Sequence, residues 1–174
     1  MTRLAWLALF AVAATAAHAH IDIDIGAGEA APGSDLRVAF AVSHGCGDAS
    51  TTAIRIRLDP RIVSARPMAK PGWDVKVTRE TAKQKDGTSL QVPREVSWTG
   101  GAIPGDFYDE FVMLVTIPDA PLGTLVYFPV VQECGAIVVR WIEMPLAGED
   151  PDTLGHPAPF VTLTDVKGAH EHAH

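Results

Sequence analysis

The strongest constraint on the fold is an alternation of large apolar and polar side chains that recurs along the chain. It is visible at residues 20–25, 36–42, 54–58 and 73–77. A period of two places one face of a strand against a core and the other in water. Later runs are more continuously apolar and suit central strands covered on both sides; they span residues 111–117, 125–131 and 136–142.

Glycine and proline punctuate these runs. Turn-forming clusters occur at residues 31–34, 70–72, 99–101 and 103–105. No stretch keeps a helical period for more than two turns. Short strands at steady spacing, separated by such turns, predict an all-β fold. The expected architecture is an antiparallel Greek-key β-sandwich of the cupredoxin or immunoglobulin kind.

The first 19 residues have the pattern of a secretory signal peptide. Arg3 gives a basic start, an apolar run follows over residues 4–17, and Ala17-His18-Ala19 has the small-x-small form that precedes cleavage. The run is shorter than the roughly 20 residues of a membrane-spanning helix. We therefore expect export to the periplasm, cleavage between Ala19 and His20, and no membrane span afterwards.

Charge and composition limit which partners are expected and indicate where the domain ends. The net charge is −7, and an acidic chain repels phosphate backbones, so no nucleic-acid partner is expected. Beyond residue 148 the sequence becomes rich in acidic residues, proline and histidine. We predict a sandwich domain over residues 20–147 and a C-terminal tail over 148–174, with room for one last strand at 160–163.

The chain has two cysteines, Cys46 and Cys134. An even count in an exported chain favours a disulfide. The alternative is a copper site that uses a thiolate with His44. A blue-copper site needs one Cys, two His and a weak Met ligand, and no His or Met follows Cys134 until Met144.

An N-terminal histidine is a chelating residue. Cleavage before His20 would free an α-amine beside the imidazole Nδ1, and both nitrogens can close one ring on a metal. Cu(II) favours nitrogen and oxygen donors in tetragonal geometry and leads the affinity order of the divalent metals. The competing interpretation is that a histidine follows the cleavage site by chance and binds no metal.

Several segments together resemble the YcnI-like copper-binding domain family. They are KPGW at 70–73, VSWTGG at 96–101, FYDEF at 107–111, YFPVVQ at 127–132 and VRWI at 139–142. The cysteine-bearing HGC at 44–46 and QEC at 132–134 resemble the variant of periplasmic members.

The resemblance implies a cupredoxin-like sandwich that binds one Cu(II) per chain in copper trafficking or storage. It also implies a single-histidine brace, with the amine and imidazole of His20 and the carboxylate of Glu110 as ligands and Trp141 beside the metal. A solvated strand carboxylate is the ordinary alternative for Glu110, and a core aromatic for Trp141.

Three functions follow from these features. The first is non-enzymatic copper binding, with an open site that permits transfer to another periplasmic or membrane copper protein. The second is a copper-dependent oxidoreductase, although such enzymes use a second imidazole, and here only His44 or His156 could supply it. The third is a structural sandwich in which His20 binds nothing.

Overall fold

The computed structural model describes residues 21–24, 28–84, 86–146, 149 and 153–165. The predicted signal peptide, His20 and the end of the predicted tail lie outside these residues. No α-helix occurs in the described ranges, whose regular elements are twelve strands. They are β1 (Ile21–Asp24), β2 (Glu29–Ala30), β3 (Asp35–Val42), β4 (Thr51–Arg57), β5 (Ala65–Pro67), β6 (Asp74–Lys83), β7 (Ser89–Ile103), β8 (Asp109–Thr116), β9 (Leu125–Tyr127), β10 (Val130–Cys134), β11 (Ile137–Trp141) and β12 (Phe160–Leu163).

The strands form two larger sheets and one small one. The first sheet has the order β1-β3-β8-β5, the second β11-β10-β4-β7-β6, and the third β2-β12-β9. Every pairing in the two larger sheets is antiparallel, whereas β2 and β12 are parallel. This confirms the predicted all-β, antiparallel sandwich.

Apolar side chains from the two larger sheets share one core. Phe40 on β3 and Phe111 on β8 are fully buried, as is Trp98 on β7. The rings of Trp98 and Phe111 meet edge to face, with their centroids 5.5 Å apart. Such aromatic pairs stabilise a core beyond the area they bury, here by joining the facing sheets.

The turn predicted at residues 99–101 is wrong, because these residues lie inside β7. Gly100 has a φ of 83°, and the β4–β7 register shifts between Thr51 and Ala53, so the strand is irregular here without ending. A Cβ on Gly101 would lie 2.1 Å from Cε2 of Trp73. The glycine therefore admits the indole ring. The turns at 31–34, 70–72 and 103–105 are confirmed by backbone hydrogen bonds.

Two of the three apolar runs also differ from the prediction of central strands. Residues 111–117 match it, since β8 lies between β3 and β5. Residues 125–131 divide between β9 and β10, which belong to different sheets, with Phe128 and Pro129 between them. Residues 136–142 contain the edge strand β11 (Ile137–Trp141), where Ile137 and Val138 are 48% and 45% exposed.

The sandwich continues past the predicted domain boundary at residue 147. Strand β12 pairs with β9 and β2, and its side chains Val161 and Leu163 are fully buried. Residues 160–163, which the sequence analysis assigned to the tail as a last strand, therefore belong to the core of the domain.

Candidate functional site

The predicted metal ligand His20 lies outside the described residues, but the strand that follows it is placed. Ile21, the first residue of β1, pairs with Val42 on β3, and Val42 pairs with Asp109 on β8. The next row across the three strands is Asp22, Ala41 and Glu110. The start of β1 and the start of β8 therefore lie at the same end of the first sheet.

Glu110 lies on the outer face of this sheet. In the adjacent row of residues, the side chains of Ile21 and Val42 are buried and point into the core. Because successive side chains on a strand alternate between faces, the row that contains Glu110 faces outward. The Glu110 side chain is 30% exposed. Its carboxylate accepts a hydrogen bond from the Tyr108 hydroxyl and lies 3.7 Å from Nη2 of Arg37.

Asp109 is engaged differently from Glu110. Its Oδ1 accepts a hydrogen bond from Nζ of Lys70 at 2.7 Å and another from the backbone N–H of Glu110 at 2.8 Å. Lys70 also donates to the carbonyl oxygen of Glu110, and its Nζ lies 5.0 Å from the centroid of the Phe111 ring. These contacts fix the backbone at the start of β8, which leaves Glu110 as the more adaptable carboxylate.

Trp141 ends β11 and is 4% exposed, so it is a core aromatic as well as a candidate site residue. Its indole N–H donates to Oε1 of Gln132 at 3.3 Å. The amide nitrogen of Gln132 donates to Oγ1 of Thr51 at 2.8 Å and to the carbonyl oxygen of His44 at 3.2 Å. Both Gln132 and Thr51 are buried, and this network satisfies their polar groups.

Beside Trp141 the structure has a cleft of about 490 Å³ at one end of the sandwich. Its lining residues are His44, Gly45, Cys46, Gly47, Gln132, Ile137, Val139, Trp141, Gly155 and His156. His44 follows β3, whose last residue Val42 pairs with Ile21. The cleft therefore lies at the end of the sandwich where β1 begins.

One wall of the cleft is closed by the predicted disulfide, which is confirmed. Cys46 and Cys134 are bonded, with their Cα atoms 6.0 Å apart and a separation of 88 positions in sequence. The bond attaches the loop after β3 to the end of β10. Because both sulfurs are bonded to each other, neither is the thiolate that a blue-copper site would need.

Two histidines face this cleft. Nδ1 of His44 lies 2.6 Å from the carbonyl oxygen of Gly45. A carbonyl only accepts, so Nδ1 is the donor in this contact. The His156 ring meets the Trp141 ring at a centroid distance of 5.0 Å. The backbone N–H of His156 donates to Oε2 of Glu143 at 2.8 Å, which holds this loop against β11.

The predicted site residues thus fall into two neighbourhoods. Glu110 is on the outer face of the first sheet and is not among the residues lining the cleft, whereas Trp141 forms part of the cleft. Within the described residues, no group of three or more His, Cys, Asp or Glu side chains is arranged to hold a metal. Nor is any helix in that part of the chain long and apolar enough to span a membrane.

Gln132 was not predicted from the sequence as a site residue. Its position carries a signal: it lies between Val130 and Cys134 at a spacing of two, so it shares their inward face, where a polar side chain needs buried partners. His156 was considered only as a second imidazole of a brace, and His44 either in that role or beside a cysteine thiolate, because nothing in their local sequence indicates a common cleft.

The fold and the comparison with a solved structure show that the protein is an immunoglobulin-like β-sandwich. A crystal structure of an uncharacterized protein from Nocardia farcinica, described as having an immunoglobulin-like fold, is 32% identical, with a TM-score of 0.63 over 83% of this chain and 97% of that one. The chain belongs to the family described as "Domain of unknown function (DUF1775)", which matches residues 20–163 and is the YcnI-like family.

Another solved structure has a weaker likeness. It is described as that of a "putative membrane anchored protein" from Corynebacterium diphtheriae, with 7% identity, a TM-score of 0.39, and coverage of 80% of this chain and 33% of that one. No curated protein matches the chain.

Proposed function

We propose that the protein is an exported copper-binding protein that carries or stores Cu(II) in the periplasm without catalysing a reaction. The proposed ligands are the α-amine and Nδ1 of His20, freed by cleavage after Ala19, and the carboxylate of Glu110. The observation that supports this most is the row Asp22, Ala41 and Glu110 across three adjacent strands.

The register brings the new N-terminus toward the carboxylate. His20 precedes Ile21, and consecutive Cα atoms are about 3.8 Å apart. Ile21 is buried, and a residue that precedes it in extended conformation would present its side chain to the opposite face, which carries Glu110. Strands β1 and β8 are separated by β3, a span of roughly 10 Å at ordinary strand spacing. Ala41 lies between them, and its small side chain leaves room for two longer ones to converge over it.

The ligand set suits a dication. Two neutral nitrogens and one carboxylate leave Cu(II) with a net charge of +1, and the donor types are those that Cu(II) favours. The ion pair between Glu110 and Arg37 is exposed, and such pairs contribute at most about 1 kcal/mol. Breaking this ion pair would therefore reduce the free energy of metal binding only slightly. The coordination leaves open positions through which a partner copper protein could take the ion.

The decisive experiment compares the processed protein with a version blocked at its N-terminus. We would titrate Cu(II) into the chain beginning at His20, in competition with a chelator, and into the same chain with one alanine inserted before His20. The inserted residue converts the amine into a peptide nitrogen, so we expect affinity to fall on the order of 100-fold, about 2.7 kcal/mol. Equal affinity of the two forms would refute the chelate.

A second arm tests the carboxylate. Glu110→Gln keeps the size of the side chain and removes its charge, and we expect about a tenfold loss of Cu(II) affinity. The matched control is Glu133→Gln, since Glu133 is a similarly exposed carboxylate paired with Arg55 on the other sheet. Equal effects of the two substitutions would reject Glu110 as a ligand. Mass spectrometry of the exported protein fixes its first residue.

A further inference from the structure

We infer that the outer face of the second sheet carries a binding site for a short apolar peptide with free termini, in which Arg57 holds the carboxylate and Glu95 the ammonium group. The site is a cleft of about 620 Å³, here called the Arg57 cleft, which both residues line. Among the described residues, none lines both this cleft and the one beside Trp141. The site involves no metal ion and goes beyond the proposed binding of copper.

The floor of the Arg57 cleft is formed by the neighbouring strands β4 and β10. Buried and half-buried side chains alternate along β10, and Val131 is one of the half-buried residues, so it points away from the core. Val131 pairs with Arg55 on β4, and Arg57 lies two positions farther along the same strand, so both arginines face outward. The backbone N–H of Arg57 donates to the carbonyl oxygen of Pro129 at 2.9 Å. These pairings place two apolar residues, Val131 and Pro129, beside the arginines.

A wall of the cleft comes from the segment after β11. The backbone N–H of Glu143 donates to the carbonyl oxygen of His156 at 3.1 Å, and its carbonyl oxygen accepts from the N–H of Ala158 at 2.8 Å. These bonds attach the segment to the loop before β12, and the residues on either side of Glu143, Ile142 and Met144, line the cleft. Their side chains are 43% and 48% exposed, although both are large and apolar. An apolar ligand in the cleft would remove this surface from water, which is favourable.

Two of the four charged residues that line the cleft already have partners. Nε of Arg55 donates to Oε1 of Glu133 at 2.7 Å. Oδ1 and Oδ2 of Asp59 accept hydrogen bonds from the Arg61 guanidinium at 2.9 Å and 2.7 Å. Because these groups are paired, recognition of a charged ligand falls to the other two charged residues.

Arg57 and Glu95 are those two residues, and their charges are not neutralised within the part of the chain that the structure describes. Their Cα atoms are partners across β4 and β7, yet no ion pair or side-chain hydrogen bond joins either of them to a described residue. Side chains directly opposite on paired strands have Cβ atoms about 4.5–5.5 Å apart, so one cation and one anion lie side by side. A ligand with both an ammonium and a carboxylate group complements the two, whereas a simple anion or cation is repelled by one of them.

The size of the cleft and the spacing of its charges favour a dipeptide. The volume lies within the range of about 300–1,000 Å³ of small-molecule sites. Two residues span at most about 7 Å, so the termini of a dipeptide reach groups on neighbouring strands. Tyr127 adds a neutral donor to the lining, since partial burial raises the pKa of its hydroxyl, which forms no hydrogen bond to any described residue. Two apolar side chains on the dipeptide would cover Ile142 and Met144.

The test is a calorimetric titration of the copper-free processed protein with dileucine. Arg57→Gln and Glu95→Gln each remove one charge, and we expect each to weaken dileucine binding at least about tenfold, with thermal unfolding unchanged. The matched controls are Lys76→Gln and Asp74→Asn, because both side chains are exposed on β6 of the same sheet and lie outside the cleft. They should leave the affinity unaltered. Failure of dileucine to bind, or equal losses in the controls, would overturn the inference.

Modified ligands assign the two ends of the peptide. N-acetylation removes the ammonium charge, so the native protein should bind N-acetyl-dileucine about tenfold more weakly than dileucine. Glu95→Gln should then cause no further loss, because the pair is already broken. Dileucine amide should give the same pattern with Arg57→Gln. Blocked ligands that bind as tightly as dileucine would refute recognition of the termini.

The apolar walls are tested with diglycine, which has the same charged ends and no side chains. We expect it to bind at least about tenfold more weakly than dileucine, since it leaves the apolar surface in water. The methyl NMR signals of Ile142 and Met144 should shift when dileucine is added, whereas those of Leu114 on the first sheet should not. Equal affinity for diglycine, or shifts confined to the first sheet, would place the peptide elsewhere and reject the cleft.

Discussion

Trp141 and Gln132 lie on the paired strands β11 and β10, and the indole N–H of Trp141 donates to the amide oxygen of Gln132. The same amide holds Thr51 on β4 and the carbonyl of His44 after β3. The buried Gln132 side chain thus connects Trp141 to β10, to β4 and to the loop after β3. Fully satisfied networks of this kind are rigid, and incomplete ones are costly.

Gln132→Leu should therefore destabilise the protein strongly. It removes an acceptor from Trp141 and a donor from Thr51 and His44, and each buried polar group left unpaired costs about 1–3 kcal/mol. We expect the free energy of unfolding in urea to fall by about 3 kcal/mol. Gln91→Leu is the matched control, because Gln91 is exposed on β7 and should change stability by less than about 0.5 kcal/mol. Similar losses for the two variants would contradict a structural role for the network.

The disulfide should carry a large share of the stability. Replacing both Cys46 and Cys134 by alanine opens a link between positions 88 apart in sequence, and loop-closure entropy predicts a loss of about 4.6 kcal/mol. Reduction of the wild-type protein should give a similar loss in urea unfolding, whereas the same reductant should leave the double variant unchanged. A loss below about 1 kcal/mol would show that other contacts hold the loop after β3.

Ala41→Leu should block copper binding without touching a ligand. Ala41 lies between β1 and Glu110 in the row that contains this proposed ligand, on the outer face. A branched side chain would fill the space over which the ligands converge. We expect at least about a tenfold loss of Cu(II) affinity, measured by chelator competition, with little change in thermal stability. Unaltered affinity would mean that the metal does not lie over this row.

Arg37→Gln should strengthen copper binding. Its guanidinium is 3.7 Å from the Glu110 carboxylate, where it competes with the metal and repels its charge. Because both groups are partly exposed, the gain should be about threefold, within the energy of a surface ion pair. Arg66→Gln removes an exposed cation paired with Asp35 elsewhere on the first sheet, and should leave affinity unchanged. Weaker binding in Arg37→Gln would argue against Glu110 as a ligand.

The ion pair of Asp59 should raise the free energy of unfolding near neutral pH, and this contribution should disappear in acid. Two hydrogen bonds from the Arg61 guanidinium lower the pKa of Asp59 below its ordinary 3.8. A lowered folded-state pKa stabilises the fold above the unfolded pKa, and the increment is lost as the pH falls through the folded value. Asp59→Asn should cost less than about 1 kcal/mol at pH 6 and progressively less below about pH 4. Arg61→Gln should show the same trend; a constant difference across this range would contradict the pairing.

The regular part of the fold was predictable because burial of one face leaves a period of two in the sequence. Strands β1, β3, β4 and β6 follow from that pattern, whereas β8 follows from a continuously apolar run. The long strand β7 (Ser89–Ile103) was not predicted at all. At residues 99–101 Thr-Gly-Gly is a turn signal locally, and only the approach of Trp73 explains a glycine there. The edge position of β11 was missed because apolar composition does not distinguish an edge strand from a central one.

The candidate site was predictable only in its separate parts. The sequence identifies a disulfide and the motifs that contain Glu110 and Trp141, and the register adds that Glu110 shares a row with β1. The common cleft of His44 and His156 depends on how the loops after β3 and β11 meet, 112 positions apart along the sequence. No local pattern contains that information, since it arises from sheet order and the disulfide.

The parallel pairing of β2 with β12 has a mechanical consequence. These strands lie near the two ends of the domain, at Glu29–Ala30 and Phe160–Leu163, and are joined by backbone bonds that include Thr162 to Gly28 and Thr164 to Ala30. Tension applied through the two ends pulls parallel neighbours in opposite directions along their length. The bonds between them are then strained together in shear, so the domain resists stretching more than it would if they opened one at a time.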